Sequence, residues 1–217
     1  MTARDTRQRI IDAALALFAE KGYAETSIGD VAVSAGLLKG NLSYYFRTKE
    51  DLLEWVTRER ERQLIGDLGK SLPAGASAGQ AMAHFLDFTD ASADELARHG
   101  CPVGTLCSEL GKDDPSLQPY AAHILAAVHR WIVEHLGDSV SATTANAVAE
   151  QLLVMMQGAA VLAHAQRDPG VVHRVVANAR MWLAATLPVE VPAGSTTPSQ
   201  LPREQTARRL VPHHRTP

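Results

Sequence analysis

The chain has 217 residues, 46% of them apolar and 21% charged, which is enough apolar content for a sizeable core and excludes a charge-rich disordered chain. No run approaches the ~20 uninterrupted apolar residues of a membrane span, the polar N-terminus lacks a secretory signal pattern, and Cys101 and Cys107 are too few for a disulfide framework. The expectation is a cytoplasmic protein with no membrane partner. Its formal net charge of −3 has to be divided along the chain before it bears on a polyanionic partner.

The first predicted helix, RQRIIDAALALFAEKGY, sets Ile10, Ala14, Leu17 and Phe18 on one stripe and ends at Gly22. Ser27, with Asp30 three residues on, has the form of a capped helix start, and Ile28, Val31, Ala32 and Ala35 follow at helical spacing. Gly36 stands where a left-handed residue closes a helix, and Leu42, Tyr45 and Phe46 form the apolar side of the next one. Two helices joined so tightly cross steeply, so residues 27–46 form a helix-turn-helix, whose second helix fits a major groove about 12 Å wide. Its outward residues are Lys39, Gly40, Asn41, Ser43 and Tyr44. Lys donates to guanine, Asn pairs with adenine, Gly admits a close backbone approach and Tyr reaches phosphate, so the implied partner is double-stranded DNA. Thr48 and Asp51 repeat the capped start, with Lys49 where a phosphate would pass.

Residues 1–50 carry seven Lys or Arg against six Asp or Glu, while residues 64–187 carry seven against twelve. The acid excess belongs to the second region. Arg4, Arg7, Arg9, Lys39, Arg47 and Lys49 are left as a basic stripe for phosphate.

In these elements (the first helix, TSIGDVAVSAG, LLKGNLSYYF and TKEDLL) the chain resembles the TetR/AcrR family of transcriptional regulators over roughly residues 6–60. Leu38 stands where that family commonly has a capping Ser, and Ser43 where it commonly has Tyr. The resemblance implies an all-α fold: an N-terminal three-helix helix-turn-helix DNA-binding domain and a C-terminal helical ligand-binding and dimerisation domain. It assigns DNA contact to Ser27, Lys39, Gly40, Asn41, Ser43, Tyr44, Tyr45 and Lys49. It also implies a homodimeric repressor, released from an inverted-repeat operator by a small-molecule inducer.

The expected division is 1–50 for DNA binding, with a fourth helix continuing to about 68, and 51–187 for ligand binding and dimerisation. Gln80 to about Arg98 forms one stripe through Met82, Phe85, Leu86, Thr89, Ala93 and Leu96. CPVGTLCSELGK holds one brief helix. Asp114-Pro115, Ser141 and Asp168-Pro169 open helices near 115–136, 141–167 and 170–187. ANAVAEQLLVMMQGAAVLAHA and VVHRVVANARMWLAATL are apolar over much of their circumference, which implies burial against a second copy. Residues 188–217, rich in Pro, Ser, Thr and Arg, are expected to form a disordered tail.

The second region offers Met82, Phe85, Cys101, His123, Trp131, Met155, Met156 and His164 as a ligand-pocket lining, with ordinary core packing as the alternative for each. No charged residue is clearly aimed inward, which favours an apolar ligand. Cys101 has two readings. At a helix start it stands where the dipole favours thiolate, which suits an electrophile or redox sensor; otherwise it is a small buried hydrophobe. A cysteine-dependent enzyme using His99 or His123 as base is the remaining alternative, and neither cofactor nor metal is expected because no phosphate loop or zinc spacing occurs. Activation in place of repression is not distinguished by sequence.

Overall fold

The computed structural model describes residues 2–187 except 71, 111 and 113. The predicted tail, 188–217, lies outside the described residues. Among the described residues every regular element is helical: α1 (Ala3–Lys21), α2 (Ile28–Ser34), α3 (Lys39–Leu42), α4 (Lys49–Lys70), α5 (Ala78–Ala91), α6 (Ala93–His99), α7 (Pro102–Glu109), α8 (Gln118–Leu136), α9 (Ala142–Gln166) and α10 (Gly170–Thr186).

Local chemistry sets the helix starts. Ser27 Oγ accepts the N–H of Asp30 at 3.1 Å while the Asp30 carboxylate accepts the N–H of Ser27 at 2.9 Å. Thr48 with Asp51 and Ser77 with Gln80 repeat this reciprocal cap. Ser141 accepts from the N–H of Thr144 at 3.1 Å at the head of α9. A cap of this type stabilises a helix by about 1 kcal/mol.

Two predicted boundaries move, whereas the helix expected from 170 begins there. The single helix expected over 80–98 breaks at Ser92, whose hydroxyl donates to the Phe88 carbonyl at 2.9 Å and whose backbone turns to φ −90°, ψ 3°. Asp114 accepts the N–H of Ser116 at 2.9 Å, which shapes a 3₁₀ turn over Pro115–Leu117 before α8 begins. Asp168 accepts the N–H of Gly170 at 2.8 Å, so α10 begins after Pro169.

Two buried clusters form. The first joins Ile10, Ala14 and Phe18 of α1, Val31 and Ala32 of α2, Leu42, Phe46, and Leu52, Leu53 and Val56 of α4, and it also takes in Leu106, Leu110 and Leu117. Three short helices have too little apolar surface to close a core alone, and α7 supplies the missing side. The second cluster is a bundle in which α9 packs against α6, α8 and α10 while α5 packs against α8 and α10.

By length and composition α9 would suffice to cross a membrane. Its apolar residues divide between two faces. Ala145, Val148, Ala149, Leu152, Met156, Ala159, Ala160 and Ala163 face the bundle, whereas Val154, Val161 and Leu162 are exposed.

Candidate nucleic-acid interface and ligand cavity

The turn between α2 and α3 is fixed from inside. Gly36 takes φ +66°, a left-handed conformation that costs glycine little, and the Arg9 guanidinium donates to the carbonyl of Ala35 immediately before it. A Cβ at Gly36 would stand 3.0 Å from that guanidinium. Arg9 therefore ties α1 to the helix-turn-helix.

The helix α3 is shorter than the predicted recognition segment. It spans Lys39–Leu42, after which the N–H groups of Tyr45 and Phe46 both donate to the Leu42 carbonyl, at 2.8 and 3.0 Å, and carry the curl on to Phe46. Leu38 caps it with no side-chain hydrogen bond, as expected for a residue without an acceptor. Leu42 and Phe46 are buried, which turns Lys39, Gly40, Asn41, Ser43 and Tyr44 outward. Tyr44 is 84% exposed and sits edge-on to the half-buried Tyr45, with ring centroids 5.3 Å apart. A Cβ at Gly40 would meet nothing within 4 Å, so no packing in the monomer requires glycine there. Ser27 is also exposed, with its hydroxyl occupied by Asp30.

The predicted basic stripe divides in two. Arg7 lies over the rings of Trp55 and Phe46, at 4.1 and 5.3 Å from their centroids, a contact worth about 0.5–2 kcal/mol. Arg9 is spent on Ala35. Lys49 Nζ donates to the Ala24 carbonyl at 3.2 Å and lies 4.1 Å from the centre of the Tyr23 ring, and burial holds its ammonium below the ordinary lysine value. These three cations serve internal structure first. Arg4, Lys39 and Arg47 are exposed and, among the described residues, carry no hydrogen bond or ion pair from their side chains.

A cavity of about 450 Å³ lies between α4, α5, α6, α7, α8 and α9 and reaches Ala19 of α1. Of the eight predicted pocket residues, Phe85, Cys101 and Met156 line it. The other five require correction. Met82 lines a separate groove between α5 and α10. Trp131 is buried in the second cluster, stacked on His135 at 4.0 Å. Met155 packs at the edge of the same cluster. His123 is exposed and bonded to Glu61 at 2.5 Å, because its neighbour Ile124 takes the inward register of α8. His164 lies behind Gly100, 3.6 Å from where a Cβ would be, with a buried Nδ1 that has no partner.

Cys101 caps α7: its sulfur accepts the N–H of Gly104 at 3.4 Å, and the Gln157 amide donates to it at 3.6 Å. Among the described residues no hydrogen bond joins it to a histidine. Cys107 is half-buried, and burial pushes its thiol above the usual range.

Sequence reasoning missed Glu109 and Arg60, and it gave Arg9 to phosphate. Arg9 and Glu109 act through backbone groups far away in the chain. Arg60 lines the cavity, against the expectation that no charged group is aimed inward. A signal for it existed: Leu53, Thr57, Arg60, Leu64 and Leu68 recur every three or four residues, which puts one cation on an otherwise largely apolar stripe of α4.

Comparison with known proteins agrees with this arrangement. A family model described as bacterial regulatory proteins, tetR family, matches residues 10–56, and one described as the C-terminal domain of LmrA/YxaF-like transcriptional regulators matches residues 78–178. The HTH-type transcriptional regulator AcrR of Shigella flexneri is 39% identical over 66 residues, which is 30% of each chain. An uncharacterised HTH-type transcriptional regulator from the lacX 3′ region of Lactococcus lactis is 26% identical over 76% of this chain and 86% of its own. The first three curated relatives are matched over only 30%, 41% and 52% of their lengths. A TetR transcriptional regulator from Chloroflexus aurantiacus shares the fold, with a TM-score of 0.73 at 21% identity over 85% of this chain and 96% of that one. With one model on the helix-turn-helix and a second on the bundle that holds the cavity, the chain belongs to the TetR family of bacterial transcriptional regulators.

Proposed function

We propose that this protein is a homodimeric repressor that seats α3 in the major groove of an inverted-repeat operator and is released by a small molecule in the cavity. Residues 1–50, with the start of α4, make the DNA-binding unit, and residues 51–187 make the ligand-binding and dimerisation unit. The observation that carries this reading is the outward face of α3: Lys39 and Asn41 present side-chain donors with no partner among the described residues, beside an exposed Tyr44. Such groups recognise base edges and phosphate. Ser27, Ser43 and Tyr45 border that face, and Lys49 keeps the Tyr23–Ala24 turn beside it.

The second copy follows from α9 and α10. Val154, Val161 and Met181 are 67%, 66% and 66% exposed, and Gly158 between them has open space around it. Apolar side chains flanking an exposed glycine suit close packing against a second α9–α10 pair across a two-fold axis. Two recognition helices then meet half-sites about 34–36 Å apart. Release requires the ligand to prefer the DNA-free state, by about 5.5 kcal/mol for a full 99:1 reversal.

Cys101 supports a second reading of the trigger. Its sulfur lines the cavity, where a small electrophile admitted to the cavity could reach it, and it accepts from two N–H donors.

The deciding test is footprinting of the purified protein on DNA flanking its own coding region. Protection of an inverted repeat, bound by one dimer, supports the reading. Equal affinity for that DNA and for random duplex at the same salt refutes it.

A further inference from the structure

Arg60 is a cation that the apolar cavity leaves without a counter-charge. Arg60, Leu64 and Leu68 stand on successive turns of α4 and all line the cavity, with Arg60 at the end nearer the DNA-binding unit. The Arg60 Nε is buried with no hydrogen-bond partner, and its guanidinium makes no ion pair among the described residues. The other polar groups on the wall are occupied. Thr89 donates to the Phe85 carbonyl at 3.1 Å, Ser92 to the Phe88 carbonyl at 2.9 Å, and Gln157 to the Cys101 sulfur. Glu95, the carboxylate on the lining, is 67% exposed and bonded to Arg98 at 2.5 Å with His99 3.8 Å away. Its carboxylate is engaged by those partners, and no ion pair joins it to Arg60 among the described residues.

Arg60 is partly buried, and its Nε lacks the partner that water would supply, so an anion that reaches it from the cavity makes a charge-assisted, planar contact. The remaining wall is Leu64, Phe85, Phe88, Leu96, Leu153 and Met156. That combination selects a molecule with one charged end and an apolar body.

We propose that the cavity binds an apolar carboxylic acid, its carboxylate on Arg60 and its tail along α4 toward Leu68. This names the ligand class for the release step above and rests on that reading for its regulatory meaning. It adds one charged end to the mainly apolar ligand expected from the sequence.

Isothermal titration of the full chain with decanoate, decanol and decylamine tests the assignment without DNA. Decanoate binds, decanol binds roughly tenfold more weakly, the worth of about one charge-assisted hydrogen bond, and decylamine does not bind. In Arg60→Met, decanol affinity is kept and the preference for decanoate disappears; in Arg60→Lys part of the preference returns. Retained decanol binding shows that the variant cavity is folded. Equal binding of decanoate and decanol to the unaltered chain, no binding of either, or an undiminished preference in Arg60→Met overturns the proposal. Operator release by decanoate is measured separately. Arg60-dependent binding with no release supports the cavity assignment and overturns the ligand-released repressor.

Discussion

The carboxylate of Glu109 accepts the backbone N–H of Tyr23 at 2.7 Å, across 86 residues of sequence. The same oxygen receives the N–H of Ala24 at 3.4 Å. Glu109 is the last residue of α7, and the residue that caps the other end of α7, Cys101, lines the cavity. One short helix thus spans from the cavity wall to the turn between α1 and α2.

Removing this link has a defined cost. Glu109→Gln keeps the shape and an acceptor but removes the charge, and thermal unfolding should show a loss of about 1 kcal/mol, the difference between a hydrogen bond to a charged group and a neutral one. Gly22→Ala attacks the same contact from the other side. Its Cβ would stand 2.5 Å from Glu109 Oε1, at a backbone φ of +84°. The double variant should lose less than the sum of the two singles, because both act on one contact. Strict additivity would show that Glu109 and Gly22 are independent.

On the DNA side, Lys39 and Arg9 should behave differently although both are basic. Lys39→Ala should cost about 1–3 kcal/mol on operator and little on random duplex if it reads a base. An equal loss on both would move Lys39 to phosphate. Arg9→Met should lower thermal stability and weaken all DNA binding, with an unchanged salt slope, because its guanidinium holds Ala35. Arg47→Ala should make the slope shallower by about one. Fluorescence anisotropy across a salt series separates the three.

These contrasts mark what the sequence could show. The starts of α2 and α4 were legible because Ser27–Asp30 and Thr48–Asp51 are contacts within three residues. The outward face of α3 was legible because Leu42 and Phe46, one turn apart, fix which way the helix is turned. The roles of Arg7, Arg9 and Lys49 were not, since each is decided by a partner that the chain reaches only after folding. The cavity was the hardest part. Met82, Trp131 and Met156 all read as apolar residues on helices, and only the packing of six helices separates Met156 from the other two. His123 shows how sharp that dependence is: the next residue, Ile124, is fully buried.

The two cysteines should react differently. Burial raises the Cys107 thiol above its usual range, so its thiolate is scarce at neutral pH and grows only as pH rises toward that raised value. Cys101 lines the cavity and its sulfur is approached by two N–H donors. N-ethylmaleimide at pH 7 should therefore modify Cys101 first, as read by mass spectrometry of the intact chain. If thiol modification is the trigger, Cys101→Ala binds operator and is not released by the reagent, whereas Cys107→Ser is released normally. Release of Cys101→Ala by the same compound would exclude the thiol as trigger.

The apolar face of α9 and α10 makes the last prediction. A glutamate at an exposed position of a monomer is nearly neutral, usually within about 0.5 kcal/mol. Val161 is 66% exposed, so Val161→Glu should leave the thermal stability of an isolated chain almost unchanged. In a two-fold interface the same substitution places two carboxylates near the axis, where desolvation and like-charge repulsion both oppose association. Sedimentation velocity should then show a monomer in place of a dimer. Operator affinity should fall with it, because a monomer engages one half-site and loses the linkage between the two. A Val161→Glu protein that still sediments as a dimer would remove this face from the interface, even if DNA binding were impaired. Val154→Glu, at another exposed valine of α9, repeats the measurement at a second position.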